Sequence, residues 1–404
     1  MGMMESKTKK HELTDLELLY SEADGTDSEV FSEMRSNLLL IAGEHYNKRN
    51  SNFYRRIRDS KDLNDQQKLR LTKNHVQHIT QIYANNLLAG QPGVGFMAKN
   101  EGELQDQKAA ELHHSVWNDA VERYDLEERI DDWCDDFLGI GEAATKIFWD
   151  PTMGKLKAYD QAVGPDGEPL FDEMGQPKPD KTKPIHEGAF VFEEIHGFNL
   201  LRDPNAKSMK SSPYLIIRKM VEASKLKKMF PDQEKKIQAS SDQTFIVFDS
   251  TRGGYRKTKN EVLVKEYYFR ECPQYPTGHY FITTAEGILH DDEIPGGIFP
   301  IVWQHYNKFQ TSARGRSSVK TMRPYQAEIN RSASKIAEHQ ITLGDDKLLI
   351  QNGTKISAGI ALPGVRSINY SGMEPGILNG RDGSQYLNYM TSQIDEIGRA
   401  SCRE

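Results

Sequence analysis

The sequence has few cysteines, no long apolar run and no excess of positive charge. Its 404 residues contain three scattered cysteines, Cys134, Cys272 and Cys402, without the spacing of metal ligands. A disulfide framework and a zinc ribbon are therefore disfavoured, and this cysteine usage fits assembly in a reducing cytoplasm. No apolar run approaches the roughly 20 residues that a membrane-spanning helix needs, so we expect no membrane partner.

The charge balance disfavours a protein that grips nucleic acid with a broadly positive surface. The formal net charge is −7 at pH 7, whereas tight non-specific binding depends on many Lys and Arg contacts to phosphates. A negative balance is compatible with a channel through which DNA slides with few phosphate contacts. The length suffices for two or three domains with real hydrophobic cores.

The usual sequence signatures of catalysis are missing. There is no nucleophile elbow, Walker loop, HExxH or triad spacing, so we predict no catalytic residue, no cofactor and no metal ligand. One acidic run leaves an alternative open, because paired carboxylates can hold Mg²⁺ in a nuclease. Its members are Asp131, Asp132, Asp135 and Asp136. A solvated acidic face, or a partner for Arg and Lys of an adjacent subunit, is the other interpretation of the same run.

The order of periodic segments predicts an α+β fold. Residues 1–27 are polar and charged and predict a flexible N-terminal arm. Apolar spacings of three and four predict helices over 28–58, 64–90, 103–123 and 126–138. Asn64 and Gln67 would form the capping box of the second helix. Alternating or short apolar runs predict strands over 93–98, 145–149, 188–195, 214–218, 244–248, 262–269, 279–283 and 298–305. The segment 164–184 is rich in Gly, Pro and charge and predicts a hairpin tip.

A long helical segment stands after the strands. Val319–Leu343 places Met322, Tyr325, Ile329 and Ala333 on one face, at helical spacing. Many of the remaining positions are small residues, which would let a neighbouring helix approach closely. The pattern is too polar for a helix buried on all sides and too sparse in heptads for a two-stranded coiled coil.

A short β-like excursion and a second helix follow. Lys347–Gln351 predicts a strand, Asn352–Gly353 a hairpin turn and Thr354–Ile356 the returning strand. A further strand is predicted at Val365–Tyr370. Asp382 or Ser384 can cap the second helix, whose inner face would carry Tyr386, Leu387, Met390 and Ile394.

Several stretches, taken in this order, resemble the portal proteins of tailed bacteriophages. They are the helix and loop Arg70–Phe96, the run LGIGEAATKIFWDP from Leu138, the turn FNLLRDPNA from Phe198, and Gln326-x-x-Ile329-Asn330-x-x-x-Ser334. The helix–excursion–helix layout resembles the stem, clip and returning stem of those proteins. The resemblance covers most of residues 30–396 and depends on the order of its motifs.

The resemblance implies a portal-like architecture: a helical and antiparallel-β wing, long stem helices and a small β-containing clip. The implied wing spans 28–316, with helices over 28–140 and a mixed β-rich part over 141–316. The first stem helix would cover 317–344, the clip 345–380 and the start of the second stem helix 381–396.

The resemblance also implies a function. Portal subunits form a dodecamer in the virion, assembled in the host cytoplasm, through which double-stranded DNA is packaged and ejected. Expected partners are the large terminase subunit, head-completion and tail adaptor proteins, and capsid and scaffold proteins. Candidate channel or stem residues are Arg323, Arg331, Lys335 and Glu338, and candidate clip contacts are Lys347, Lys355 and Arg366. Another virion structural or adaptor protein is the alternative from the same setting.

Two further segments carry expectations. Ser312–Ser317 (SARGRS) places Arg314 and Arg316 around a glycine, which predicts either a phosphate contact or a hinge stabilised by acids of another subunit. Residues 397–404 (IGRASCRE) resemble the translation of a sequencing adapter. We therefore expect the natural chain to continue past Glu396, into a tunnel loop and crown.

Overall fold

The computed structural model describes residues 11–46, 69–90, 93–100, 102–161, 170–171, 179–239, 248–249, 254–255, 260–294, 298–308, 312–343, 347–353, 366–372 and 384–400. The α-helices in these ranges are α1 (Leu13–Thr26), α2 (Ser28–Ile41), α3 (His75–Ala89), α4 (Leu104–Arg123), α5 (Leu126–Gly139), α6 (Ala223–Met229), α7 (Val319–Leu343) and α8 (Ser384–Ala400). None of these helices is both long enough and apolar enough to cross a membrane.

The strands lie mainly between α5 and α7. They are β1 (Glu142–Asp150), β2 (Leu156–Gln161), β3 (Pro179–His186), β4 (Ala189–His196), β5 (Leu200–Arg202), β6 (Tyr214–Glu222), β7 (Phe248–Asp249), β8 (Gly254–Tyr255), β9 (Glu261–Phe269), β10 (His279–Thr284), β11 (Gly287–Glu293), β12 (Ile301–His305), β13 (Asn307–Lys308), β14 (Gly315–Arg316), β15 (Lys347–Gln351) and β16 (Arg366–Tyr370).

The strands form two larger antiparallel sheets. One has the order β11-β10-β9-β6-β5 and the other the order β12-β1-β4. The strands β2 and β3 form an antiparallel hairpin, the pairs β7–β8 and β13–β14 are short antiparallel ribbons, and β15 and β16 pair in parallel. The predicted α+β class with antiparallel sheets is confirmed.

The two larger sheets pack through one apolar cluster. Ala144 and Ile195 come from the three-stranded sheet, whereas Leu215, Ile217 and Tyr268 come from the five-stranded sheet. A second cluster packs Leu226 of α6 against β9 and β11. Burial of these side chains provides the apolar driving force that holds the layers together.

The chain divides into two units. The first unit comprises residues 1–31, 90–247 and 257–317, and the second unit comprises 32–89, 248–256 and 318–404. Residues 32–89, which the resemblance assigns to the wing, thus belong with α7 and α8. The first unit contains the two larger sheets.

The N-terminal segment differs from the flexible arm expected over residues 1–27. Residues 13–26 form α1, in which Leu16 and Ala23 are fully buried. Three of the acidic side chains that suggested disorder, Glu17, Asp24 and Asp27, form ion pairs with cations of the first unit. Composition alone could not reveal those partners.

Two helix boundaries and one strand also differ from the prediction. The helix expected to run to Arg58 ends at Ile41, because Gly43 adopts a left-handed φ of +86° and the amides of Gly43 and Glu44 bond back to the last turn. Asn64 and Gln67 lie outside the described residues, and α3 instead begins at His75, where Asn74 Oδ1 accepts a hydrogen bond from the third helical amide at 3.1 Å.

Residues 93–98 form no strand, because no described segment pairs with them. Phe96 instead packs against the His113 ring of α4, with ring centroids 5.8 Å apart. The predicted helices over 103–123 and 126–138 are confirmed.

After the two larger sheets, both predicted helices are observed, but the strands between them pair differently from the prediction. The predicted helix Val319–Leu343 is confirmed with the same bounds, and so are the strand Lys347–Gln351 and the helix beginning at Ser384. The expected hairpin is not the pairing observed, because β15 pairs in parallel with β16. Thr354–Ile356, the expected returning strand, lies outside the described residues.

Candidate functional site

The polar motif on α7 is buried inside the second unit. Gln326 and Asn330 are fully buried, and Ser334 is half-buried. The three residues are spaced by four, so their side chains stand above one another on one face of the helix. Buried polar side chains need partners, and the backbone of residues 71–76 provides them.

Gln326 binds the start of α3. Its Oε1 accepts hydrogen bonds from the backbone amides of His75 at 2.9 Å and Val76 at 3.2 Å. Its Nε2 donates to the carbonyl of Lys73 at 2.6 Å and to Oδ1 of Asn330 at 3.0 Å. The first amides of a helix have no partner within that helix, so Gln326 acts as a cap supplied from another element.

Asn330 and Ser334 continue the same row of contacts. The amide of Lys73 donates to Oδ1 of Asn330 at 3.0 Å, and the amide of Leu71 donates to Oγ of Ser334 at 3.0 Å. Oγ of Ser334 in turn donates to the carbonyl of Asn330 at 2.7 Å. Helix α7 thereby fixes the register of the segment that leads into α3.

His45 closes the network at its far end. Nδ2 of Asn330 lies 2.7 Å from Nδ1 of His45, and an amide nitrogen can only donate, so Nδ1 must be unprotonated. Burial lowers the pKa of His45 below its ordinary value. The network is therefore complete only with a neutral His45.

The four candidate channel residues of α7 have different surroundings. Arg323 is half-buried and donates to Oδ1 of Asn37 on α2. Arg331 is exposed and forms an ion pair with Glu328, one turn away. Lys335 is exposed and Glu338 is half-buried. The structure therefore places Arg331 and Lys335 on the open side of the helix, and it ties Arg323 to the body of the second unit.

The candidate clip residues are only partly within the described chain. Lys347 and Arg366 are the first residues of β15 and β16, and they lie directly opposite each other in the parallel register. Lys355 lies outside the described residues. The backbone thus brings two of the three predicted contact residues together at one end of the two-stranded sheet.

Helix α8 packs against α7. Met390 and Ile394 are buried, as predicted for the inner face of this helix. Asp395 also approaches α3, with its Oδ1 3.6 Å from Nδ1 of His75. The two long helices and the short sheet between them therefore belong to one unit.

Three motifs of the first unit converge on a single buried carboxylate. Glu142, from the LGIGE run, is fully buried and accepts hydrogen bonds from Arg202 at 2.7 Å and Arg314 at 2.6 Å. Burial alone would raise the pKa of Glu142, but the two guanidinium groups lower it below its ordinary value. Arg202 comes from the FNLLRDPNA turn and Arg314 from the SARGRS segment.

Both expectations for the SARGRS segment therefore need correction at Arg314. This guanidinium is buried and is held by Glu142 and by Asp27 of the same chain at 2.6 Å, so it has no access to a phosphate in this conformation. The acids that stabilise it are not those of another subunit. Gly315 allows the close approach, because a Cβ there would lie 2.0 Å from the carbonyl oxygen of Gly141.

The carboxylates of the acidic helix α5 contact neighbouring side chains of the described chain. Oδ2 of Asp136 lies 2.7 Å from Nδ1 of His196, and burial together with the neighbouring carboxylates raises the pKa of Asp135. Among the described residues, no group of three or more His, Cys, Asp and Glu side chains is arranged to hold a metal ion. The nuclease alternative thus has no described ligand set.

Sequence reasoning noticed the α7 motif only as a pattern and missed its partners. Leu71 and Lys73 contribute through backbone groups, which leave no trace in residue type, and His45 contributes a ring nitrogen from a position remote in sequence. Glu142 and Arg202 were likewise quoted within motifs without a role. The chain matches no protein-family model and no curated protein sequence.

Proposed function

We propose that this chain is the portal vertex subunit of a tailed bacteriophage. In this role it forms a ring channel for genome packaging and ejection, in a virion assembled in the host cytoplasm. The observation that carries the proposal is the long helix α7, followed by a two-stranded sheet and by α8, which packs back on α7. This is the element order of the stem, clip and returning stem.

The surfaces of α7 support a place beside a channel. At about 1.5 Å per residue, the 25 residues of α7 span roughly 37 Å. One face of α7 is buried within the second unit, where Met322, Gln326 and Ile329 are fully buried. The exposed charges of Arg331 and Lys335 lie on the open side, so in this proposal they, rather than Arg323, contact passing DNA.

The two-stranded sheet is the proposed docking point for other proteins. Lys347 and Arg366 start neighbouring parallel strands, and Lys355 belongs to the segment that joins them. Three basic residues in this small region fit an acidic surface on a partner such as the large terminase subunit. Head-completion, tail adaptor, capsid and scaffold proteins are the further partners that the proposal names.

Native mass spectrometry of the purified chain tests ring formation. Closed cyclic symmetry requires a heterologous interface repeated around an axis, and the proposal expects a species of twelve chains. A chain that stays monomeric at all concentrations would contradict it. A small closed oligomer, such as a dimer or a trimer, would favour a virion adaptor protein instead.

Terminase docking can be tested separately by charge reversal. The triple variant Lys347→Glu, Lys355→Glu, Arg366→Glu should lose binding to the large terminase subunit of the same phage, measured by biolayer interferometry. A matched control reverses three exposed lysines of the first unit, Lys155, Lys157 and Lys225. Equal loss in both variants, or in neither, would refute the assignment of the docking point.

A further inference from the structure

Helix α4 is exposed along its whole length. None of its 20 residues is buried, although it carries Leu104, Leu112 and Val116, whose exposed fractions are 65%, 62% and 58%. Leu112 and Val116 are four residues apart, so their side chains are neighbours on one face of the helix. Helices in proteins owe most of their stability to the packing of such an apolar face on another element.

The segment before α4 adds further exposed apolar residues beside the helix. Phe96 lies against the rings of His113 and His114, with centroids 5.8 and 6.5 Å away, and Val94 and Met97 are exposed. The arm surface, as we name it, consists of Val94, Phe96, Met97, Leu104, Leu112 and Val116. These six side chains expose on the order of 600 Å², as much as the largest apolar patch of a typical monomer. The roughly 800 Å² that each partner buries in a standard interface is only slightly larger.

A second exposed apolar surface lies on the three-stranded sheet. Ala144 and Ile195 face the five-stranded sheet. Side chains alternate between the two faces along a strand, so the register places Trp149, Phe190 and Val302 on the opposite face. These three residues, the outer sheet surface, are 51%, 48% and 56% exposed.

Helix α4 does not cover the outer sheet surface of its own chain. The C-terminal end of the helix is fixed beside that surface, where the hydroxyl of Tyr124 accepts a hydrogen bond from the amide of Phe190 at 3.1 Å. From there α4 extends for about 30 Å, at roughly 1.5 Å per residue. A straight helix held at this end does not fold back, so the two apolar surfaces do not cover each other within one chain.

We propose that α4 is an arm that packs on the outer sheet surface of a second copy of this chain. The aliphatic side chains of the arm meet Trp149 and Phe190, whose rings lie 5.0 Å apart and offer a large apolar area. The two surfaces differ, so the contact is heterologous, and its repetition around an axis closes a ring. The inference rests on the proposed function and deepens it, because it names the faces through which neighbouring subunits touch.

Two double variants without net charge change disrupt one surface each. The arm variant is Leu112→Lys with Val116→Glu, and the sheet variant is Phe190→Glu with Val302→Lys. All four positions are at least 48% exposed, so both variants should fold. Loss of an apolar anchor at the centre of an interface weakens binding by at least about 30-fold. We expect that weakening of self-association in both variants, measured by sedimentation velocity over a concentration series.

A control variant changes two exposed apolar residues of the first unit outside both surfaces. Leu18→Glu with Met229→Lys, at positions 68% and 59% exposed, should leave self-association unchanged. Circular dichroism confirms that each variant is folded. If the sheet variant does not fold, Phe190→Ser alone takes its place.

An equimolar mixture of the arm variant and the sheet variant decides how the surfaces pair. Each variant retains the surface that the other lacks, so one sound contact remains and 1:1 heterodimers should form, although each variant alone is monomeric. Full assembly of the sheet variant alone would mean that arms pair with arms. Full assembly of the arm variant alone would mean that the contact does not use the arm. Either result would overturn the proposal.

Failure of this contact is distinguishable from failure of the proposed function. A ring of twelve that forms equally well in all variants refutes the contact and leaves the ring intact. Small or open oligomers that both variants abolish, and that mixing restores as 1:1 pairs, support the contact and contradict the ring. An unaltered chain that is monomeric at all concentrations contradicts both.

Discussion

Replacement of Gln326 by leucine tests whether the α7 motif holds α3 in place. The side chain is fully buried and makes four hydrogen bonds of 2.6 to 3.2 Å. The amide of His75 keeps a second partner in the carbonyl of Lys73, 3.0 Å away. The amide of Val76, by contrast, would lose its hydrogen bond to Gln326 Oε1.

The expected loss of stability follows from the number of hydrogen bonds that Gln326→Leu removes. A buried donor left without a partner costs about 1–3 kcal/mol, and each further lost hydrogen bond costs about 1 kcal/mol. The apolar surface of leucine offsets part of this, so we expect Gln326→Leu to lower the free energy of unfolding by about 3 kcal/mol. With a urea m-value of about 2 kcal/mol/M, the midpoint falls by about 1.5 M.

The assay is urea denaturation followed by far-ultraviolet circular dichroism. The matched control is Gln385→Leu, at an exposed position of α8, which should change stability by no more than about 0.5 kcal/mol. The reasoning would be refuted by a Gln326→Leu midpoint indistinguishable from that of the control. That result would mean that water replaces the glutamine amide at no measurable cost.

Three further changes probe other contacts by the same denaturation assay. Gly315→Ala should lower the free energy of unfolding by about 3 kcal/mol, because the added methyl group clashes with the backbone. The control Gly25→Ala, at a glycine with open space around it, should stabilise α1 by about 0.5–1 kcal/mol. Equal effects of the two substitutions would contradict the close approach at Gly315. Glu142→Gln should cost about 3–5 kcal/mol, because two buried arginines lose their charge partner; a neutral effect would contradict that pairing. The lowered pKa of His45 means that the unfolded state binds more protons, so the stability that His45 contributes should be full above the ordinary pKa of 6.5 and fall as pH drops below it. His11, His75 and His305 also have lowered pKa values, so His45→Gln should weaken the pH dependence rather than abolish it, and an unchanged pH profile would contradict the role of His45.

Local patterns predicted the elements whose signals are local. Helix α7 is recognisable because apolar residues recur along it and Gly344 follows it, and its predicted bounds match those observed. The same holds for α4 and α5. These elements satisfy most of their backbone groups internally, so little information from distant residues is needed.

Elements held by distant partners were missed or misplaced. Helix α1 looks disordered by composition, but its acids Glu17 and Asp24 pair with Lys265 and Arg218, roughly two hundred residues away in the chain. The helix predicted over 64–90 includes residues 69–74, which form no helix and instead donate backbone hydrogen bonds to Asn330 and Ser334. Tertiary hydrogen bonds outweighed local propensity at both places.

The candidate site was predictable as a pattern and not as a geometry. The sequence presents Gln326, Asn330 and Ser334 only as a motif of the resemblance, and it could not say that these side chains are turned inward. For the same reason Arg323 was grouped with Arg331 and Lys335, although it is tied to Asn37. Orientation of a polar helix depends on which neighbours offer donors and acceptors, and those neighbours are remote in sequence.

Cryo-electron microscopy of the assembled chain tests the central claim most directly. The account predicts a closed ring of twelve copies with α7 of each copy standing beside a central channel and with Arg331 and Lys335 facing the channel. A particle without rotational symmetry, or a ring with α7 at its outer rim, would contradict it.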